Sequence, residues 1–211
     1  MLTDILLSVI PALFCITFHE LCHGLVAYKL GDNTAKQAGR LTLNPIKHID
    51  IMGLLMMVVF KFGWAKPVPV NMNNFKNPKS GMAITALAGP VSNLLLSAFL
   101  LLIYGFVYVP VETQTTVQAV LLQTLSTTAY LSCALAMFNF LPIPPLDGSK
   151  VLFALLPERS YYTLMRYERF GMILLLVAVA TGVLTPYLSK ATYTVFNFLF
   201  GIAQWSFSLT I

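Results

Sequence analysis

The sequence predicts an all-α polytopic membrane protein with about five transmembrane helices and one short membrane-embedded element, re-entrant or β in structure. Three observations predict this fold class. Of the 211 residues, 57% are hydrophobic and only 10% are charged, whereas a soluble domain carries about 25% charged residues. Several apolar segments approach the ~20 residues that a spanning helix needs. The cations lie in the loops between these segments, as is typical of cytoplasmic loops.

Five apolar segments are predicted to span the bilayer. The first is expected to remain in the mature protein, because no cationic region precedes it and no small-residue cleavage site follows. The last two form a predicted helical hairpin with a tight turn at Ser189 and Lys190. We expect one domain over residues 1–211, with a core at about 1–155 and the hairpin at about 168–209. The segments cover about residues 2–28, 82–109, 117–141, 170–188 and 192–209.

A sixth apolar stretch, Ile51 to Phe60, is too short to span. Its ten residues would rise only ~15 Å as a helix, half of the ~30 Å hydrocarbon core. Because Lys47 and Lys61 flank it, both of its ends are expected on one side of the membrane, as in a re-entrant element. The prolines of the following segment, at positions 67 and 69, restrict residues 63–70 to an edge strand or an extended loop.

The distribution of lysine and arginine predicts the orientation. Residues 29–79 hold eight cations and residues 150–169 hold four, whereas residues 109–118 hold none. By the positive-inside rule the first two regions are cytoplasmic. The N-terminus is then outside, and five spans place the C-terminus inside. We expect a multi-pass protein of the cell inner or plasma membrane, with the active site near the cytoplasmic face.

The charge and the cysteines exclude two other classes of protein. The net charge is +5, but no basic run interleaves with exposed aromatic residues, so no nucleic-acid partner is expected. The three cysteines, Cys15, Cys22 and Cys133, lie in apolar segments without a C-x-x-C spacing. Because their number is odd and they sit in apolar surroundings, no disulfide framework is predicted.

The motif His19-Glu20-Leu21-Cys22-His23 carries the strongest chemical signal. Histidines at positions i and i+4 of a helix lie on one face, where two imidazoles can bind one zinc ion. Glu20 is placed to accept a proton from the attacking water. Polar groups inside an apolar helix are costly, by ~2.5–3.5 kcal/mol per charge, and are therefore usually functional.

A catalytic zinc site needs a third protein ligand. The extended H-E-x-x-H-x-x-G-x-x-H pattern fails, because position 29 is Lys29, and no glutamate occurs between Glu20 and Glu112. The third ligand must therefore come from a distant part of the chain. The residues alone leave four candidates: Asp32, His48, Asp50 and Asp147.

The sequence resembles the site-2 protease family of intramembrane zinc metalloproteases (peptidase family M50), and in particular its compact bacterial members. The resemblance covers about residues 10–155, and no PDZ or CBS domain is expected. Its motifs are the zinc motif at residues 19–23, Ala88-Gly89-Pro90-Val91-Ser92-Asn93, Asn139 to Gly148 with the pattern N-x-x-P-x-x-P-x-D-G, and the block from Arg40 to Asp50.

The resemblance implies one Zn²⁺ per chain, held by His19, His23 and Asp147, with Glu20 as the general base. It further implies that Asn93 contacts substrate or stabilises the oxyanion. Asn139, His48 and Asp50 are weaker candidates for supporting or substrate-binding roles, and Gly89 is expected to permit close helix approach.

The predicted function is hydrolysis of peptide bonds within or near transmembrane segments of other membrane proteins. The implied biological role is regulated intramembrane proteolysis or clearance of remnant signal peptides. Two alternatives remain from the sequence: a membrane transporter, since polar residues and broken helices also mark transporters, and a zinc-binding membrane scaffold without peptidase activity. The partners are a transmembrane substrate and the lipid bilayer.

Overall fold

The computed structural model of this protein describes residues 2–53, 55 and 63–210, which are mainly α-helical and include no β-strand. The predicted all-α class is therefore confirmed for these residues. Short 3-10 helices cover Pro45–His48, Met72–Asn74 and Val111–Thr113. The α-helices with defined bounds are α1 (Leu2–Lys29), α2 (Thr34–Gln37), α3 (Pro78–Val107), α4 (Thr116–Asn139), α5 (Asp147–Ala154), α6 (Glu158–Arg166), α7 (Glu168–Ala180) and α8 (Thr185–Ser208).

Helices long and apolar enough to cross a membrane are fewer than predicted. Within the described ranges three qualify: Val9–Lys29, Pro78–Val107 and Thr116–Asn139. Phe170–Ala180 and Thr185–Ser208 qualify only as a pair, and this pair is bent by 86° at its break. The helices therefore supply three spans, or four if the bent pair is one broken span. Five spans are therefore not found within the described residues, and the last two predicted segments meet at this bend rather than at a tight turn of Ser189 and Lys190.

The error at the C-terminal end has a local cause. The predicted turn residues Ser189 and Lys190 lie inside α8, and the chain breaks instead between Ala180 and Thr185. Gly182 has φ of 70° there, a backbone conformation that glycine adopts without penalty after a helix. Pro186, in the first turn of α8, favours the start of a new helix. The thirteen residues of α7 rise only about 20 Å, too little to span alone.

The predicted re-entrant element at Ile51–Phe60 falls mainly on residues outside the described ranges and stays a prediction. The following segment, residues 63–71, has no regular secondary structure, so the loop rather than the strand is found there. Its two prolines account for this, since neither has an N–H to donate to a strand partner. The loop is anchored at Lys66, whose N–H donates to the His48 carbonyl at 2.9 Å.

The chain forms two compact units. The first comprises the chain up to Cys15, Asn93–Phe138 and the chain from Val177. Leu101, Ala129 and Ala203 are buried in its core, with apolar side chains such as Phe196 and Leu199 packed around them. The cysteines Cys15 and Cys133 are buried in this unit as free thiols, and Cys22 in the second unit is also a free thiol.

The second unit comprises Ile16–Ser92 and Asn139–Leu176. It therefore combines the C-terminal part of α1, the loops before α3, the first half of α3 and the region from Asn139 through most of α7. All residues of the zinc motif and Asp147 belong to it. The second unit continues to Leu176. The predicted boundary of the catalytic core near residue 155 stays a prediction.

Candidate metal centre

The two histidines of α1 face each other as the i, i+4 spacing predicts. Their Nε2 atoms are 2.9 Å apart, and the ring centroids are 4.5 Å apart with the planes at 85°. Both side chains are buried, His19 with 4% and His23 with 8% of its surface exposed. Buried polar groups persist only where something compensates their lost hydration, so a partner for these two nitrogens is required.

Asp147 supplies that partner from a distant part of the chain. Helix α4 ends at Asn139, and the proline-rich turn that follows brings α5 to begin at Asp147 itself. The Oδ2 atom of Asp147 lies 3.1 Å from the Nε2 atoms of both His19 and His23. The close approach of the turn depends on Gly148, where a Cβ would collide with the backbone of Phe140. The side chains of His19, His23 and Asp147, which were predicted to converge, therefore lie close together.

The geometry of these donors fits a zinc ion. A tetrahedral zinc with ligands at ~2.0–2.1 Å separates neighbouring donor atoms by about 3.3 Å, close to the observed 2.9–3.1 Å. Two imidazoles and one carboxylate, with room for a fourth ligand, are a donor set of catalytic zinc sites. In the described part of the chain, no other cluster of three or more metal-binding side chains was found.

The carboxyl of Asp147 is kept in the ionised form that a ligand needs. Burial alone would raise its pKa, but the neighbouring imidazoles of His23 and His19 outweigh burial and hold the pKa below the usual range of an aspartic acid. Only the deprotonated carboxylate binds a metal ion.

Helix α3 fixes the orientation of His23. The Nδ1 atom of His23 lies 2.7 Å from the carbonyl oxygen of Thr85. A carbonyl oxygen only accepts, so Nδ1 carries the proton and donates it, which leaves the lone pair of Nε2 for a cation. Sequence reasoning did not identify Thr85, because its contribution comes from the backbone and leaves no trace in residue type.

Gly89 allows α3 to lie directly against the histidines. A Cβ at this position would meet the Nε2 atom of His23 and, at 2.5 Å, the Cε1 atom of His19. Such distances are well inside van der Waals contact, so a side chain cannot fit without displacing an imidazole. The expected role of Gly89 in close helix approach thus has a specific partner, the imidazole pair.

Glu20 lies beside the imidazole pair and lines a cavity of about 270 Å³. Its Oε2 atom accepts a hydrogen bond of 2.7 Å from the backbone N–H of Val68. The cavity is also lined by His19, His23 and Asp147, by Pro67, Val68 and Val70 of the loop, and by Asn139 and Lys150. A carboxylate, three potential ligands and space for a reactant therefore occur together.

The other predicted site residues have different surroundings. Asn139 lines the cavity, whereas Asn93 is fully buried in α3 and is not among the described residues that line it. Asp50 accepts the N–H of Gly53 at 2.8 Å. Substrate-binding roles for these residues stay predictions.

The remaining candidate ligands, His48 and Asp32, already have hydrogen-bond partners: those of His48 lie in its own loop, whereas those of Asp32 include the more distant Asn71. In His48, Nε2 lies 3.0 Å from the Thr42 carbonyl and Nδ1 lies 3.5 Å from an Arg40 nitrogen. Both oxygens of Asp32 accept N–H groups, from Thr34 and Asn71 among others. Because the ring nitrogens of His48 and the carboxylate oxygens of Asp32 already have hydrogen-bond partners, neither residue is suited to bind the metal.

Together, the membrane-length helices and the cluster of buried His19, His23 and Asp147 beside the half-buried Glu20 define a membrane-embedded metal-dependent hydrolase. The sequence model of peptidase family M50 matches residues 103–185, a range that includes Asp147 but not the two histidines. No solved structure was found to match the chain.

Several relatives extend the match over most of the chain. A protein of Bacillus subtilis (strain 168), named "Putative zinc metalloprotease YwhC", is 40% identical over 93% of this chain and 92% of its own length. "Putative zinc metalloprotease Rip2" of Mycolicibacterium smegmatis is 27% identical over 88% of this chain and 71% of its own length. A third, "Putative zinc metalloprotease MJ0611" of Methanocaldococcus jannaschii, is 34% identical over 64% of this chain and 63% of its own length. The chain belongs to peptidase family M50.

Proposed function

We propose that this multi-pass membrane protein is a zinc endopeptidase that hydrolyses peptide bonds within or near transmembrane segments of other membrane proteins. One observation carries the proposal. The Nε2 atoms of His19 and His23 and the Oδ2 atom of Asp147 converge within 3.1 Å of one another, and Glu20 lines the same cavity. Membership of family M50 and the names of the relatives support the same chemistry.

In this proposal His19, His23 and Asp147 hold one zinc ion per chain. When bound there, zinc would supply Lewis acidity, which polarises the scissile carbonyl and lowers the pKa of water, so that the water can be deprotonated and attack near neutral pH. The Thr85 carbonyl keeps the His23 ring in the required tautomer. The burial of all three ligands limits competing hydration and strengthens their electrostatic interaction with a cation.

Glu20 acts as the general base. It takes a proton from the attacking water and returns it to the leaving amine, the role that a carboxylate beside the first histidine has in this motif. The hydrogen bond from Val68 occupies Oε2, so Oε1 is the oxygen assigned to proton transfer. The carboxylate is thereby held in one orientation before substrate arrives.

The substrate must enter in an extended form, because a helix hides its carbonyl groups in internal hydrogen bonds. The loop at residues 63–70 borders the cavity through Pro67, Val68 and Val70 and is suited to pair with an unwound segment, as in β-augmentation. Asn139 is placed to hydrogen-bond substrate, since it lines the cavity. We assign Asn93 a supporting role in substrate or oxyanion stabilisation only by resemblance.

The cation distribution favours a cytoplasmic position of the site. Eight of the thirteen lysines and arginines lie in residues 29–79 and four in residues 150–169, on the loops that border Glu20 and Asp147. Water and the metal would then reach the cavity from the cytoplasmic face. The N-terminus would lie on the opposite side of a bacterial inner membrane or plasma membrane.

Two substitutions test the proposal. Glu20→Gln should leave zinc bound and abolish cleavage of a reconstituted single-span substrate, because the amide keeps the shape of the carboxylate but cannot accept the proton. Asp147→Ala should lose both zinc and cleavage. Zinc is measured by elemental analysis of the purified protein.

Cleavage that survives Glu20→Gln would contradict the assigned base, and zinc retained by Asp147→Ala would contradict the ligand set. A zinc-binding protein without any cleavage would be a scaffold.

A further inference from the structure

One wall of the cavity is a short loop, residues 66–71, which we call the wall segment. It has no regular secondary structure, yet Val68 within it is 7% exposed. A segment without a backbone ladder needs other groups to hold it in place. Side chains or backbone groups from elsewhere in the second unit contact it at three points: its first residue, its middle and its last residue.

The first anchor is at Lys66. The carbonyl oxygen of Lys66 accepts a 2.6 Å hydrogen bond from the Arg40 guanidinium, and its N–H donates to the His48 carbonyl at 2.9 Å. Both Arg40 and His48 are buried, and the Nδ1 atom of His48 faces the same guanidinium at 3.5 Å. The N-terminal end of the wall segment is therefore held by buried polar groups.

The anchor at the opposite end is Asp32, a carboxylate with 0% of its surface exposed. Its Oδ2 atom accepts the backbone N–H of Asn71 at 2.7 Å. Its Oδ1 atom accepts the Asn74 side-chain amide at 2.7 Å and the N–H of Thr34 at 3.0 Å. A buried carboxylate is tolerated only when its oxygens are satisfied in this manner.

Between these anchors, the wall segment contacts Glu20. The Val68 N–H donates to Glu20 Oε2 at 2.7 Å. Because positions 67 and 69 are prolines, Val68 carries the single backbone N–H of this tripeptide. Gly24 brings α1 close enough that a Cβ there would lie 3.1 Å from the Val68 side chain. A displacement of the wall segment would therefore remove the donor that orients the carboxylate.

We infer that Asp32 is a positioning residue for Glu20, acting through the backbone of residues 68–71. The inference rests on the proposed role of Glu20 as general base. Asp32 lies on the loop after α1, and Asn71 is three residues from Val68. Asp32 thus links the end of the helix that carries Glu20 to the segment that orients Glu20. Because both oxygens of Asp32 already accept hydrogen bonds from N–H and O–H donors, we assign it no direct part in the reaction.

The experiment uses Asp32→Asn in the full-length protein. Both oxygens of Asp32 accept hydrogen bonds, so an amide of the same shape cannot satisfy both sides in either orientation. Asn77→Ala is the matched control, because Asn77 also accepts a backbone N–H, that of Ser80 at 3.2 Å, but among the described hydrogen bonds none joins it to the wall segment. Asn74→Ala, which removes one donor to Asp32, is the milder variant if Asp32→Asn does not fold.

The structural arm measures amide hydrogen exchange in peptides covering residues 66–71. The two prolines contribute no amide, so few residues share the signal. Exchange at Val68 and Asn71 should accelerate at least about tenfold in Asp32→Asn and stay unchanged in Asn77→Ala. Glu20→Ala should accelerate Val68 but not Asn71. This arm does not depend on catalysis, and unchanged exchange in Asp32→Asn would overturn the inference even if no cleavage is ever observed.

The kinetic arm measures cleavage of a single-span reporter in vesicles of defined lipid. Asp32→Asn should bind zinc at the wild-type ratio, and kcat should fall about 10–100-fold, more than KM rises, as expected of a misplaced catalytic group. Val68→Pro removes the donor itself and should show the same loss. The double variant should be no slower than Val68→Pro alone, because both changes break one connection. Additive losses, or loss of zinc, would assign Asp32 a general structural role instead.

Discussion

His23 donates its Nδ1–H to the carbonyl oxygen of Thr85 across 2.7 Å, so helix α3 determines which nitrogen of this imidazole is free. The other nitrogen, Nε2, which we propose as the metal ligand, lies 2.9 Å from its counterpart in His19 and 3.1 Å from Asp147. The proton on one side of the ring and the ligand position on the other are thus linked. This arrangement is common among histidines that bind zinc, because the outer hydrogen bond orients the ring and raises its basicity.

The first prediction concerns this tautomer. In zinc-loaded protein labelled with ¹⁵N-histidine, the Nδ1 of His23 should give the chemical shift of a protonated nitrogen and Nε2 that of a metal-bound one. The Nδ1 proton should exchange slowly with solvent, since it is hydrogen-bonded and buried. His23→Ala identifies the signal by its loss. A His23 ring that is protonated at Nε2 would contradict both the Thr85 contact and the assignment of the ligand atom.

Gly89→Ala is predicted to weaken zinc binding. The added Cβ would press against the imidazoles of His19 and His23, and a displaced ring costs about 10–100-fold in metal affinity, as for other perturbations around a metal site. Competition with a chelator of known affinity measures the change. Gly201→Ala is the control, since a Cβ at this helical position meets nothing within 4 Å. Equal zinc affinity in the two variants would exclude the close approach at Gly89.

The part of the site that follows from sequence is the part with a local geometric rule. The spacing of His19 and His23 places their rings on one face of any helix, and Glu20 beside them needs no tertiary information. Asp147 is separated from His19 by 128 residues, so composition left it as one of four candidates, and the family resemblance singled it out. Thr85 and Val68 contribute a backbone carbonyl and a backbone N–H, groups that every non-proline residue has. Only coordinates could identify them.

The fold, too, could be predicted only in part from the sequence. Apolar segments predicted α1, α3 and α4, because a long hydrophobic run has few other structures available. At the C-terminal end, the polar residues Ser189 and Lys190 led to the prediction of a turn there. The turn lies instead at Gly182, which has a positive φ. A lysine can extend from a helix toward the membrane interface without ending it, whereas a glycine at positive φ followed by Pro186 interrupts the helix.

Asp32→Asn is predicted to change the pH dependence of stability. Burial alone would raise the pKa of Asp32, but hydrogen bonds from Thr34, Asn74 and Asn71 outweigh it and lower the pKa below the usual value. A lowered pKa in the folded state stabilises the protein above the unfolded-state pKa of about 3.9. This contribution is lost as pH falls from the unfolded-state pKa through the folded-state pKa, because in that range the unfolded chain binds a proton that the folded chain does not.

The measurement is thermal unfolding of wild type and Asp32→Asn in the same detergent from pH 7 down to pH 3. At pH 7 the variant should be less stable by about 1–3 kcal/mol, the cost of leaving buried hydrogen-bonding groups unsatisfied. The difference should be constant down to about pH 4 and then decrease. A difference that stays the same throughout the acid range would show that the Asp32 charge does not contribute to folding.

Gly105→Ala is predicted to destabilise the first compact unit without changing zinc content. Gly105 of α3 lies against α8, where a Cβ would collide with Ser206 Oγ and with the backbone carbonyl of Ala203. The serine can rotate, but the carbonyl belongs to the helix, so the two helices must separate. Overpacking of this kind costs about 1–3 kcal/mol. Ser206→Ala combined with Gly105→Ala should therefore recover only a small part of the lost stability.

Thermal unfolding and zinc analysis of these variants test the prediction together, again with Gly201→Ala as the control. Gly201 lies in α8, as Ser206 does. Its replacement should be neutral or stabilising by up to about 1 kcal/mol, the difference in helix propensity between glycine and alanine. Full rescue by Ser206→Ala would show that the side chain rather than the Ala203 carbonyl limits the approach. Loss of zinc in Gly105→Ala would mean that packing at this glycine also supports the metal ligands, none of which belongs to the first compact unit.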